Sequence, residues 1–268
     1  MSEADDAALA ALQTAMAADP WAELRRHTPA RIALGRAGSS LPTAELLRFN
    51  AAHAQARDAV HLPLDTAALA TDLAVAGFAS LQVRSQASHR EQYLRRPDLG
   101  RRLDAASAAC LLDTRRELRL QPMDLTIVLA DGLSAQAAQQ HGLPLLLALR
   151  AALELGPALS LAPLVIAEQA RVALADEVGA LLQTRVVLIL LGERPGLSSP
   201  DSLGAYLTHA PVVGLNDAMR NCVSNIRPAG LPYAPAAQRI AWLLHESLRR
   251  RLSGVALKDG SGSELLPG

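Results

Sequence analysis

The stretch Met123–Ala130 (MDLTIVLA), followed at once by Asp131-Gly132-Leu133-Ser134, reads as a buried strand that ends in a tight turn and feeds a helix. A near-continuous apolar run marks a strand covered on both faces, as in a parallel sheet. Gly132 permits a sharp turn, and Ser134 is a helix-capping residue type. Working outward, Leu161 to Glu168 and Val186 to Leu191 are two further apolar strands. Between them Val172 to Leu182 alternates like a helix, and Pro235 to Leu252 carries a last amphipathic helix. Strands separated by helices argue for βαβ units. The expected class is α/β, with a Rossmann-like, mostly parallel sheet flanked by helices.

Upstream, the sequence reads as helical. Helices are expected over Ala8 to Met16, from Pro42 to about Val60, over Asp65 to Ala76 and over Leu99 to Leu112. Thr28 to Thr43, with Gly35, Gly38, Ser39, Ser40 and Pro42, reads as a loop. We therefore expect a smaller N-terminal helical region, 1–115, suited to docking a partner, before an α/β domain over 116–268. The Gly/Ser-rich tail after Gly254 is expected to fray.

Composition narrows the function. The 268 residues are half hydrophobic, enough for a sizeable core, yet include only two Trp, three Tyr and two Phe. Twenty-six basic residues balance 26 acidic ones. Zero net charge and few aromatics point away from nucleic acid and from anionic membranes. Lys258 is the sole lysine, so neither an internal Schiff base nor a G-x-x-x-x-G-K-[ST] phosphate loop is available. Two distant cysteines, Cys110 and Cys222, suit a reducing cytoplasm. An acidic N-terminus and short apolar runs predict no signal peptide and no membrane span.

Catalytic signatures are missing. The chain has no H-E-x-x-H, no C-x-x-C, no G-x-S-x-G and no G-x-G-x-x-G after a strand. Its seven histidines do not cluster with metal-ligand spacing; His53 and His61 share a helix face with Phe49 and Arg57. The D-x-H-x-x-G signature, by which a histidine replaces the lower base of cobalamin, is also absent. No metal site and no self-contained catalytic site emerges.

Ligands of doubly wound sheets bind beyond the carboxyl ends of the strands, and three segments fall there. Asp131-Gly132-Leu133-Ser134 offers backbone amides at a helix start, or is a structural turn. Gly192 to Gly204 (GERPGLSSPDSLG) places Glu193 just past a strand in a rigid loop, as an acceptor or as half of a salt bridge. Arg220 to Arg227 (RNCVSNIR) surrounds Cys222 with neutral hydrogen bonders; the thiol lines a polar pocket or is a small buried hydrophobe. The Arg-rich run Arg95 to Arg102 is a solvated face or a dock for a partner's carboxylates.

Together these blocks closely resemble the small (light) subunit of ethanolamine ammonia-lyase, an adenosylcobalamin-dependent bacterial enzyme. The resemblance runs through TPARIALGRAGSSLPTAELLRF (Thr28–Phe49), VRSQASHREQYLRRPDLGRRL (Val83–Leu103), VLADGLSA (Val128–Ala135), VLILLGERPGLSSPDSLG (Val187–Gly204) and RNCVSNIRPAGL (Arg220–Leu231). It implies a large-subunit partner, a (β/α)₈ barrel that holds substrate, with the corrin between the two subunits. It also implies homolysis of the Co–C bond, hydrogen abstraction from ethanolamine, and release of ammonia and acetaldehyde. Cobalamin is implied to bind with its own base, in keeping with the missing D-x-H-x-x-G, and the assembly to be a hetero-oligomer, a heterododecamer by the family pattern. Carried over, the cobalamin contacts are Val172, Glu193 and Cys222, with Asp131-Gly132 in second place. The implied location is the cytoplasm, or a bacterial microcompartment where a longer N-terminal region directs encapsulation. Two other readings stay open: a structural cap without cofactor contacts, and a standalone α/β enzyme for a phosphate-bearing ligand.

Overall fold

A computed structural model describes residues 16–17, 19, 21–119 and 121–261. The chain divides into two compact units, one of Met1–Asp58 with Gly196–Pro200 and one of Ala59–Pro195 with Asp201–Gly268. In the smaller unit, β1 (Met16–Ala17) pairs antiparallel with β2 (Arg36–Ala37), and α1 (Thr43–His61) begins there and ends in the larger unit. Arg31 donates to the Leu197 carbonyl at 3.2 Å and lies over the Phe49 ring at 5.8 Å. The expected helix from Ala8 lies outside the described residues except for Met16, which is in β1.

The larger unit holds the sheet: β3 (Ser80–Arg84), β4 (Met123–Ala130), β5 (Leu164–Glu168), β6 (Thr184–Gly192), β7 (Leu203–His209) and β8 (Arg220–Ile226). Their order is β3-β5-β4-β6-β7-β8. The first four in that order run parallel, and β7 and β8 add an antiparallel pair at one edge. Its helices are α2 (Thr66–Val75), α3 (Arg90–Arg95), α4 (Ala105–Glu117), α5 (Ala135–Leu153), α6 (Leu174–Leu182) and α7 (Tyr233–Arg250). Leu125, Ile127 and Leu129 of β4 face a core shared with α2, α5 and α7. Val128 and Ala130 face the opposite core, built with Leu111 of α4 and Leu174, Val178 and Leu182 of α6. Burial on both faces is why β4 and β6 read as unbroken apolar runs.

Several elements depart from the sequence reading. β3, β7, β8 and α3 were not expected. β8 carries RNCVSNI, the segment read as a polar pocket; as an edge strand it buries only Val223, Ile226 and the Arg220 stem deeply and leaves the rest more open. The helix expected over Leu99 to Leu112 breaks into a 3-10 turn, Leu99–Arg101, and α4, because Leu103 bridges Ser85 in extended form and Asp104 caps α4 by accepting from Ser107 N at 2.7 Å. The tail is held as far as Leu257, which is buried, since the Asn221 amide donates to the Gly254 and Leu257 carbonyls.

The carboxyl ends of β4 and β6 meet backbone to backbone. Gly132, at φ +55°, would carry a Cβ 2.1 Å from the Gly192 carbonyl oxygen, and a Cβ on Gly192 would lie 2.0 Å from the Ser134 oxygen. That proximity lets Leu133 N donate to the Gly192 carbonyl at 2.8 Å. The adjacent Asp131 is buried and accepts from Gln169 N at 2.8 Å and Ala170 N at 3.0 Å, drawing the β5–α6 connection onto the same turn. Arg90 of α3 donates to Asp131 at 3.3 Å, to the Gly132 carbonyl at 2.8 Å and to the Val60 carbonyl at 2.7 Å.

Two outcomes follow from this seam. Gly192→Ala forces the two turns apart and should cost at least about 2 kcal/mol in chemical denaturation, as overpacking at an unyielding backbone does. Burial, opposed by Arg90 and the backbone donors, lifts the Asp131 carboxyl from 3.8 to about 6. The folded chain therefore binds this proton more tightly than the unfolded chain. The stabilisation is complete below about pH 4 and is withdrawn as pH rises through about 6. The stability advantage of the wild type over Asp131→Asn should narrow between those limits, by at most about 3 kcal/mol. A gap independent of pH would contradict it.

Candidate functional site

Beyond the carboxyl ends of the parallel strands lies a cleft of about 940 Å³. That is at the upper end for small-molecule sites, which run roughly 300–1,000 Å³. Its position follows from topology. The chain leaves β4 toward β5 on one side and then crosses to β6 on the other, so successive loops part here. Leu133 comes from the β4–α5 turn and Arg171, Val172 and Ala173 from the β5–α6 turn. Leu191, Gly192, Glu193 and Arg194 close β6, and Tyr206 of β7 completes the floor. The loop 213–217 and the segment around Pro97–Arg102 form the remaining walls.

Glu193 is held firmly. Its backbone N–H donates to the Ser202 carbonyl at 2.8 Å. Its Oε2 accepts from the Ser202 hydroxyl and, at 3.2 Å, from the Asn225 backbone N–H. Oε1 accepts no hydrogen bond among the described residues. One oxygen anchors the side chain, and the other, beside Gly204, accepts nothing from the protein among the described residues.

Val172 sits half-buried beside the start of α6 and packs its methyl groups partly against the second core. Cys222 stands one strand further out. It is the cross-strand partner of Tyr206 and is not among the cleft-lining residues. Partial burial raises its pKa, the Tyr206 hydroxyl opposes that, and the Glu193 carboxylate adds to the rise. The thiol is thus held in its neutral form near Tyr206 and Glu193. Tyr206 is likewise pushed upward, first by burial and then by Cys222 and Glu193. Val172 and Glu193 therefore share the cleft directly, with Cys222 behind Tyr206.

Asp131, the second-place candidate, is turned away. Both its oxygens are engaged inside the protein, and it positions the β5–α6 connection instead. Some amides there are committed too, Leu133 N to the Gly192 carbonyl and Ala137 N to the Ser134 cap.

Other residues of the site were not singled out from sequence. Tyr93 is fully buried, donates to the Ala170 carbonyl at 2.9 Å and stacks under Arg171 at 4.3 Å and Arg90 at 4.9 Å. Arg171 Nε is buried with no hydrogen-bond partner. The loop 213–217 is fixed by Arg220, whose guanidinium donates to the Leu215 carbonyl at 3.0 Å and pairs bidentately with Asp176 of α6 at 2.6 and 2.8 Å. Arg220 opens the RNCVSN block, so that motif carries a signal, but one for building the wall. Among the described residues no group of three or more His, Cys, Asp or Glu side chains could hold a metal ion, and no helix is long and apolar enough to cross a membrane.

Comparison with known proteins bears on this arrangement. Residues 18–258 match the family model described as Ethanolamine ammonia-lyase light chain (EutC). The chain is 60% identical over 243 residues to the ethanolamine ammonia-lyase small subunit of Azotobacter vinelandii, covering 90% of this chain and 88% of that one. It is 56% identical over 248 residues to that of Ralstonia nicotianae (92% and 91% covered) and 55% identical over 257 residues to that of Pseudomonas aeruginosa (96% and 93%). With the model spanning both units and the cleft, the chain belongs to the ethanolamine ammonia-lyase small-subunit (light-chain) family.

Proposed function

We propose that this small subunit holds adenosylcobalamin, with its own base retained, in the cleft, and that the large subunit closes the opposite side and carries the substrate. The reaction served is conversion of ethanolamine to acetaldehyde and ammonia, and the isolated chain does not turn over. The observation that carries this reading is Glu193, a cleft-lining carboxylate pinned through Oε2 with Oε1 unpaired among the described residues.

The lining suits the cofactor's chemistry. A corrin is rimmed with carboxamides, so it needs hydrogen-bond acceptors and donors around apolar cover. Glu193 Oε1 would accept from a carboxamide N–H. The guanidinium of Arg171, which lines the cleft, would donate to a carboxamide oxygen. Val172, Leu133, Leu191 and Val213 would cover the ring, and Cys222 would act from behind Tyr206 as a neutral thiol. Bound, the cofactor supplies the radical chemistry; these residues supply orientation and exclusion of water.

Docking through the N-terminal region, 1–115, is part of the same proposal. Trp21, Leu41, Leu46, Leu47 and Phe49 are large apolar side chains left exposed there. Such exposure marks surfaces that meet other proteins. The cytoplasm is the proposed location, and a microcompartment fits only if the N-terminal region directs encapsulation.

In the reconstituted two-subunit enzyme, Glu193→Ala should weaken cobalamin affinity by roughly 1–3 kcal/mol, the cost of leaving a buried polar partner unpaired. Titration by visible absorbance reads this directly. Unchanged affinity would support the cap without cofactor contacts.

A further inference from the structure

The cleft holds more unneutralised positive charge than a carboxamide rim calls for. Arg101, Arg102, Arg171 and Arg194 line it, against Asp98, Glu193 and Asp217. Asp98 pairs with Arg96 and Asp217 with Arg220, while Glu193 is held through Oε2 by the neutral donors Ser202 and Asn225 and keeps its single negative charge. Arg102 is tied to Glu177 by two bonds, at 2.9 and 3.1 Å, and Arg171 is stacked on Tyr93. Arg101 and Arg194 form no ion pair or hydrogen bond through their guanidinium groups among the described residues.

Their backbones, by contrast, are fixed. Arg101 follows Gly100, whose carbonyl accepts from Arg171 N at 2.7 Å. Arg194 follows Glu193, locked to Ser202. Two anchored positions, far apart in sequence, thus present free planar forks to one cleft. A guanidinium fork matches a phosphate's oxygens and suits a single delocalised negative charge.

We propose that Arg101 and Arg194 form a subsite for a phosphodiester monoanion, and that this subsite reads the nucleotide loop that base-on cobalamin carries. The inference rests on the cobalamin reading above and adds to it a second, charged point of recognition. Corrin contacts hold the ring; the arginine pair distinguishes the complete cofactor from its truncated precursors.

The test compares two ligands on the two-subunit complex: cyanocobalamin, and dicyanocobinamide, which lacks the phosphate, ribose and base. Binding is followed by visible absorbance. Arg101→Gln and Arg194→Gln should each weaken cyanocobalamin about tenfold (about 1.4 kcal/mol) and leave cobinamide affinity unchanged. Added salt should weaken cyanocobalamin binding to the wild type more than to the double variant. Equal losses for both ligands, or a loss for neither, would overturn the proposal. So would weaker subunit assembly in sedimentation with ligand affinities intact, which would assign the arginines to carboxylates of the large subunit. Glu193→Ala separates the two levels. If it weakens both ligands while the arginine variants fail to discriminate, only the phosphodiester subsite falls. If it affects neither, the cofactor reading falls as well.

Discussion

The architecture of the cleft depends on one close approach, the backbone contact between the turn after β4 and the end of β6. With a side chain at Gly132 or Gly192 the two strands could not deliver their ends to the same place. Because they do, Leu133 and Glu193 become neighbours on one floor. Asp131 extends the arrangement: through Gln169 and Ala170 it brings in the turn bearing Val172, and through Arg90 it draws in α3. A single buried carboxylate thus organises several of the cleft's walls, which explains why a residue so near the site has no oxygen left for a ligand.

Charge is distributed by the same logic. Buried carboxylates serve the scaffold and are matched: Asp131 by backbone donors and Arg90, Asp176 by the Arg220 fork. A buried pair of this kind is weak evidence for stability but fixes geometry, here the position of the loop 213–217 relative to α6. Toward the cleft the groups are held without being exhausted. Glu193 keeps one oxygen, and Arg101 and Arg194 keep whole guanidiniums. A rigid frame with unspent polar capacity is what a large, decorated cofactor needs, since ordering costs are met when the chain folds and not when the ligand arrives.

This division of labour suits the proposed role of holding a cofactor. On the proposed reading, this chain contributes placement. Cys222 and Tyr206, held neutral near the floor of the cleft, are consistent with that role: desolvation opposes ionisation of both, although Cys222 is an exposed residue of the edge strand.

By itself, the sequence determined the α/β class, the three central parallel strands, most of the long helices and the loops that lie past the strand ends. Those features are local: a strand buried on both faces must be continuously apolar, and a turn between close backbones must contain glycine. The GERPGL and RNCVSN blocks were also legible as special, although Gly192, Arg220 and Asn221 within them proved to serve the scaffold. Tertiary structure alone decided the rest. β3 and β8 are the edge strands, where partial burial leaves a short, diluted alternation, so Cys222 read as a loop residue when it is in a strand. The cleft joins residues from Tyr93 to Asp217, and no spacing along the chain records that Arg101 and Arg194 face the same ligand space. Asp131 looked like a site residue because its neighbours in sequence are site residues; only the fold, by turning its carboxylate toward backbone amides of another segment, made it a support.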